Sequence, residues 1–285
     1  MLLSTLRHAS AGKTSSQRLS FTRWPCQTCA NTHYKLIGQT RHQSSSSSSS
    51  SSPATTRTRS EPLRILFCGS DNFSCASLSA LHNLHKANPS LIESIDVLVR
   101  PGKPAGRGLT RIAVGPLYHL AESLALPIHQ RDTFTGWDLP LPGRVTHPKT
   151  GVKTIFPHPT STLPHRPYST FNLLIAVSFG LFVPPRILNR LRYGGLNIHP
   201  SLLPDLRGPA PIQWSILARR ACTGVTLQTL HPTEYDNGHI LKQTPPPGLL
   251  MPENATTPSL LALLAREGAT LLTSALQQGL HVPPY

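Results

Sequence analysis

Asn197 and His199 stand two residues apart at the end of a short apolar run, followed by Pro200-Ser201-Leu202-Leu203-Pro204. On an extended strand, side chains at i and i+2 share a face. The pair would present an amide donor beside a titratable ring. The amide can hydrogen-bond a developing oxyanion, and the ring can exchange a proton. The imidazole then needs a carboxylate to orient it. This half of the chain has Asp205, Glu234, Asp236, Glu253 and Glu267. Asp236 is the candidate, in Glu234-Tyr235-Asp236-Asn237-Gly238-His239, with Gly238 permitting tight backbone. Asp-Asn-Gly is also ordinary turn chemistry, so orienting the ring and making the turn are competing readings.

A second segment, Arg100-Pro101-Gly102-Lys103-Pro104-Ala105-Gly106-Arg107-Gly108-Leu109-Thr110-Arg111, holds four basic residues among three glycines and two prolines, with no acid. Read as a mobile loop, it could clamp a phosphate-rich partner such as RNA. An ordinary solvated loop is the competing reading.

The elements that must position these groups alternate between strand and helix. Leu63–Cys68 reads as a buried strand turning at Gly69, with Ser70 or Asp71 capping a helix from Phe73 to Lys86. Ile95–Val99 is a second strand and Pro116–Leu124 a second helix. Phe171–Val177, the most apolar run, reads as a central strand. Pro184 and Pro185 suit the first turn of a helix reaching about Leu191. Leu196–His199 and Thr223–Leu230 are further strands, and Ser259–Gln278 an apolar-faced helix. This alternation implies an α/β fold with a largely parallel sheet covered by helices. Such sheets build sites beyond the C-terminal ends of their strands, where Asn197 and His199 fall. Neither G-x-G-x-x-G nor a P-loop occurs, which argues against dinucleotide and nucleoside-triphosphate sites.

The net charge of +15 is unevenly placed. Residues 1–60 carry eight Lys/Arg and no acid, the composition of a mitochondrial transit peptide; a tail without an address is the alternative. Nine serines, Ser44–Ser52, then make a flexible linker. Cys26 and Cys29 form a C-x-x-C near His33, too few ligands for zinc, and no metal is expected. Five cysteines, an odd number, do not make a disulfide framework. No uninterrupted apolar run approaches the ~20 residues that span a bilayer, so no membrane partner is expected.

Together, Leu63–Ser70, Pro104–Gly108, Val177–Leu181, Asn197–Pro204, Arg207-Gly208-Pro209-Ala210-Pro211-Ile212-Gln213, Thr223–Thr226 and Asp236–Gly238 resemble the methionyl-tRNA formyltransferases, from about Leu63 to Leu276. The basic N-terminus fits the mitochondrial form. The resemblance implies a Rossmann-like formyltransferase domain over residues 61–285. It implies catalytic Asn197, His199 and Asp236. It also implies a site for 10-formyltetrahydrofolate at Phe179, Gly180, Leu181, Ser201, Leu202, Leu203 and Pro204. Lys103, Arg107, Arg111 and Arg207 are implied to meet initiator methionyl-tRNA, in a monomeric enzyme of the mitochondrial matrix. Three departures accompany it. Residues 140–170 read as a surface insertion, the stretch before Asp236 is one residue longer than usual, and the family's C-terminal tRNA-gripping domain is expected to be missing. Two other readings stand beside it: a formyltransferase or formyltetrahydrofolate hydrolase using another acceptor, and a non-catalytic folate- or RNA-binding remnant.

Overall fold

The structure is a computed structural model that describes residues 60–147, 150–155 and 170–285. The basic N-terminal segment, its serine run and the Cys26–Cys29 motif lie outside the described residues.

Strand β1 (Leu63–Gly69) is buried along its whole length. Its side chains alternate between two cores: Leu63, Ile65 and Phe67 face one, Leu66 and Cys68 the other. That is what the period of two requires of a strand covered on both faces. Helix α1 (Asn72–Ala87) comes next, capped by Asp71, whose carboxylate accepts from Ser74 N at 3.0 Å. Strand β2 is Ile92–Val99.

The basic segment comes after β2, and it is not a loose loop. Strands β3 (Lys103–Ala105) and β4 (Arg111–Ala113) pair antiparallel around a 3-10 turn at Arg107–Leu109. Gly106 (φ 81°) and Gly108 (φ 79°) take the left-handed backbone the turn needs, so the glycines order this hairpin rather than loosen it. Helix α2 (Pro116–Ser123) and strand β5 (Ile128–Gln130) complete this half.

Within residues 140–170, the described parts include a surface hairpin of β6 (Arg144–Thr146) and β7 (Lys153–Ile155). Strand β8 (Leu173–Val177) is the predicted central strand. Helix α3 (Pro185–Leu188) is only four residues long, ending earlier than the apolar pattern suggested. Strand β9 is Gly195–His199 and helix α4 Pro211–Leu217. The single strand expected over Thr223–Leu230 is two, β10 (Cys222–Thr223) and β11 (Thr226–Thr229), divided at Gly224 and Val225. The chain closes with β12 (Ile240–Gln243), β13 (Leu249–Leu250) and helix α5 (Thr257–Gln277).

The main sheet runs β12-β11-β9-β8-β1-β2-β5. Its five strands from β9 to β5 are parallel, while β11 and β12 join antiparallel at one edge. The largely parallel expectation therefore holds, with an antiparallel margin that an alternating strand–helix pattern does not announce. One core lies beneath α1 and α5; the other packs Phe134, Trp137, Phe171, Phe179 and Ile187 against the opposite face. Among the described residues, α5 is the one helix long and apolar enough to cross a bilayer. Here Leu260, Leu264, Leu271 and Leu272 are buried in the core. It passes that test as a core helix does.

Candidate active site

β9 carries Leu196 and Ile198 into the core under α5, so Asn197 and His199 face the other way. There they meet a cavity of about 590 Å³ at the C-terminal ends of β8 and β9. The antiparallel neighbour β11 sets Gln228 opposite Asn197 and Thr226 opposite His199.

Asp236 joins them from the turn after β11. Its Oδ1 receives Gln228 Nε2 at 3.1 Å and Asn197 Nδ2 at 3.4 Å, and lies 3.4 Å from His199 Nδ1. Its Oδ2 accepts from Gly208 N at 2.9 Å. The His199 and Asp236 side chains are each 7% exposed. Asp236 has φ 50°, a left-handed conformation that Asp tolerates better than most residues. The two readings of Asp236 are thus compatible: it makes the turn, and its carboxylate points inward at the ring. On the ring's other side, His199 Nε2 lies 2.9 Å from the Leu206 carbonyl. That carbonyl can only accept, so Nε2 carries a proton. A ring protonated at both nitrogens would satisfy both neighbours.

The loop 200–210 closes the site. Leu206 (φ 55°), Gly208 (φ 86°) and Ala210 (φ 59°) are all left-handed, bending the chain round the cavity mouth. Such backbone for Leu and Ala is uncommon and clusters where a site demands it. On the far wall, Phe179, Gly180 and Leu181 line the cavity with Phe182 and Val183. Ser201, Leu202 and Leu203 are buried and do not line it. Thr226 Oγ1 donates to Ser201 O at 2.7 Å, and Leu203 N donates to Thr226 Oγ1 at 3.1 Å. Gln243 Nε2 donates to Leu203 O at 3.0 Å. This loop, with exposed Pro204 at its end, is tied to β11 and β12 and braces the strand that carries His199. Arg207 is exposed next to cavity-lining Gly208. Lys103, Arg107 and Arg111 are exposed on the β3–β4 hairpin, which follows the C-terminal end of β2, the same end of the parallel strands at which β9 presents His199.

Gln228, Gly208, His231, Glu234 and Tyr235 also line the cavity; sequence reasoning named Gly208, Glu234 and Tyr235 without giving them a site role and passed over Gln228 and His231. Gln228 is 1% exposed and bridges the site: it donates to Asp236 and accepts from Gly238 N at 3.2 Å. Only the β9–β11 register reveals it. Among the described residues, no cysteine lines the cavity, and burial pushes the Cys68 thiol well up, away from the reactive thiolate. Among the described residues, no three His, Cys, Asp or Glu are grouped to hold a metal ion.

Residues 166–275 match the formyl transferase family model. The chain is similar to formyl transferases over that stretch. It is 38% identical over 188 residues to the mitochondrial methionyl-tRNA formyltransferase of Saccharomyces cerevisiae, covering 65% of this chain and 44% of that protein. The human mitochondrial methionyl-tRNA formyltransferase is 30% identical over 217 residues, 76% of this chain and 45% of that one. The Burkholderia multivorans enzyme is 31% identical over 75% of this chain and 58% of its own. The chain thus spans about half the length of these relatives. The fold matches the phosphoribosylglycinamide formyltransferase of Bacillus halodurans, with TM-score 0.50 and 18% identity over 76% of this chain and 95% of that one. It also matches glycinamide ribonucleotide transformylase 1 of Symbiobacterium toebii, with TM-score 0.51 and 15% identity over 77% and 88%.

Proposed function

We propose that this protein transfers the formyl group of 10-formyltetrahydrofolate to the α-amino group of initiator methionyl-tRNA, for mitochondrial translation. The observation that carries this reading is the convergence of Asn197, His199 and Asp236 on one cavity, within a domain whose relatives are named for that reaction. The cavity suits a flat heteroaromatic donor. It has an apolar wall at Phe179–Val183 and a polar end at Asn197, His199 and Asp236, and its volume is typical of a small-molecule site.

In the reaction, the amine nitrogen attacks the formyl carbon and the carbon's bond to the donor nitrogen breaks. A proton passes from the amine to the departing nitrogen. Asn197 supplies a hydrogen bond to the formyl oxygen as charge builds there, and Asp236 holds His199 in orientation. His199 either adds positive charge beside that oxygen or, once its proton is released, takes one from the amine. Removing an oxyanion donor of this kind typically costs about 3–4 kcal/mol of barrier. Cysteines are given no part. Lys103, Arg107, Arg111 and Arg207 supply cationic contacts for the acceptor's phosphates. The matrix address rests on the basic N-terminus and on the mitochondrial names of the relatives.

The test is formylation by the full chain over a range of tRNA concentrations. Asn197→Ala and His199→Ala should each lower kcat by about 100-fold or more, a much larger effect than on folding stability. Near-parental turnover in both variants would overturn the residue roles. Folate binding without formylation at any tRNA concentration, or formylation of glycinamide ribonucleotide instead, would overturn the acceptor.

A further inference from the structure

The turn that delivers Asp236 is organised by an imidazole. His231 lies just past β11 and lines the cavity. Its Nδ1 lies 3.3 Å from Thr233 N and 3.2 Å from Glu234 N, and both backbone groups donate to it. Thr233 Oγ1 is 3.3 Å from the same atom. Nδ1 must therefore offer its lone pair, which leaves the ring's proton on Nε2. Asp, Asn or Ser commonly does this work in turns, with a side-chain oxygen that accepts from backbone N–H groups two or three residues on. An imidazole does it only while uncharged. A proton on Nδ1 would face two N–H donors and remove the acceptor both depend on.

The next residues of the turn lead directly to the site. Glu234 accepts from Asn237 Nδ2, Gly238 N donates to Gln228 Oε1, and between them Asp236 sits in its left-handed conformation. We propose that His231 is a positioning residue for the proposed formyl transfer: its unprotonated Nδ1 sets the 231–236 turn, and the turn presents the Asp236 carboxylate to Asn197 and His199. The site's geometry then depends on the protonation of a group that touches none of the reacting atoms. The other titratable groups lining the same cavity are His199 from β9 and Glu234, Tyr235 and Asp236 from the turn itself.

The proposal rests on the formyl-transfer reading for its assay, so a second readout is independent of activity. The full-chain protein and its His231→Asn and His231→Ala variants are compared between about pH 8 and pH 5, where imidazoles titrate. Asn keeps an acceptor for the turn and cannot take up a proton. His231→Asn should retain kcat within about threefold near neutral pH and lose activity more gently toward acid, because one ionisation is gone. His231→Ala should lose about tenfold or more at every pH. In parallel, the NMR signal of the Gly208 amide, which the Asp236 carboxylate holds, should move with pH in the parent and move less in His231→Asn. Superimposable pH profiles and Gly208 titrations for parent and His231→Asn would overturn the proposal, as would near-parental kcat in His231→Ala. Should His231→Ala not fold, the His231→Asn comparison still decides. Failure of the parent to formylate methionyl-tRNA, with a Gly208 titration that His231→Asn abolishes, would remove the function and keep the positioning role.

Discussion

Asp236 is held by groups from three stretches of chain: Asn197 and His199 on β9, Gln228 on β11, and the Gly208 backbone in the loop between them. A buried carboxylate is tolerated only when so many donors meet it. Gln228 is the member whose loss is cleanest to read, since it bridges Asp236 and Gly238 from a fixed strand. Gln228→Leu keeps the side chain's bulk and removes both hydrogen bonds. A hydrogen bond to a charged group contributes about 1.5–3 kcal/mol to stability, so Gln228→Leu should lower the unfolding free energy by about that much and lower kcat as Asp236 loses its placement. A kcat within twofold of the parent would show that Asp236 does not need this bond. At this scale the sequence exposed Asn197 and His199 through their spacing. Gln228 and His231 were hidden, because one sits in an ordinary strand pattern and the other works through its neighbours' backbone.

At the scale of elements, the turn between β11 and β12 is the tightest packing near the site. A Cβ added to Gly238 would lie 1.7 Å from the Thr229 carbonyl oxygen. No side-chain rearrangement relieves a clash with backbone. Gly238→Ala should therefore destabilise the fold by about 3 kcal/mol or more, at or beyond the upper end of the usual cost of overpacking. Urea unfolding measures it, and an unchanged midpoint would mean that the turn relaxes freely. The long elements were legible: the apolar period marks β1, β8, α1 and α5, and of the two expected caps, Ser70 or Asp71, it is Asp71 that caps α1. The short ones were not. β10 and β13 have two residues each, and α4 begins at Pro211 after left-handed Ala210. Segments this short have no period to detect, and tertiary packing makes them.

At the scale of the whole molecule, His281 ties the start of the described chain to its end. Its ring packs edge-on against Tyr193, with centroids 5.1 Å apart, and its Nε2 lies 2.8 Å from Ser60 Oγ. Ser60 Oγ donates to Glu61 O, so it accepts from His281 Nε2. Among the described residues, no partner reaches the buried His281 Nδ1. Burial disfavours the charged ring and pushes its pKa down to about 4. The unfolded chain, titrating near about 6.5, then binds this proton more readily than the fold does. The group's stabilisation is complete above about pH 6.5 and is lost as pH falls toward 4, reaching about 3 kcal/mol. His281→Phe removes the titration and should flatten the acid limb of stability against pH. An acid limb as steep as the parent's would assign the loss to other groups.

The sequence by itself determined the α/β alternation, the largely parallel character of the sheet and the strand end where Asn197 and His199 stand. Those come from local periodicity and from side chains two residues apart, which the chain carries wherever it folds. It also carried the motifs by which the chain resembles a family. The tertiary structure alone brought the Asp236 carboxylate to Asn197 and His199 from the turn that Asp236 also makes. It also decided that Gln228 lies across from Asn197, that the Ser201–Leu203 loop braces the site from beneath, and that the basic segment is a hairpin. These depend on register between strands and on which backbone groups lack partners once the chain is packed, and neither has a local signature.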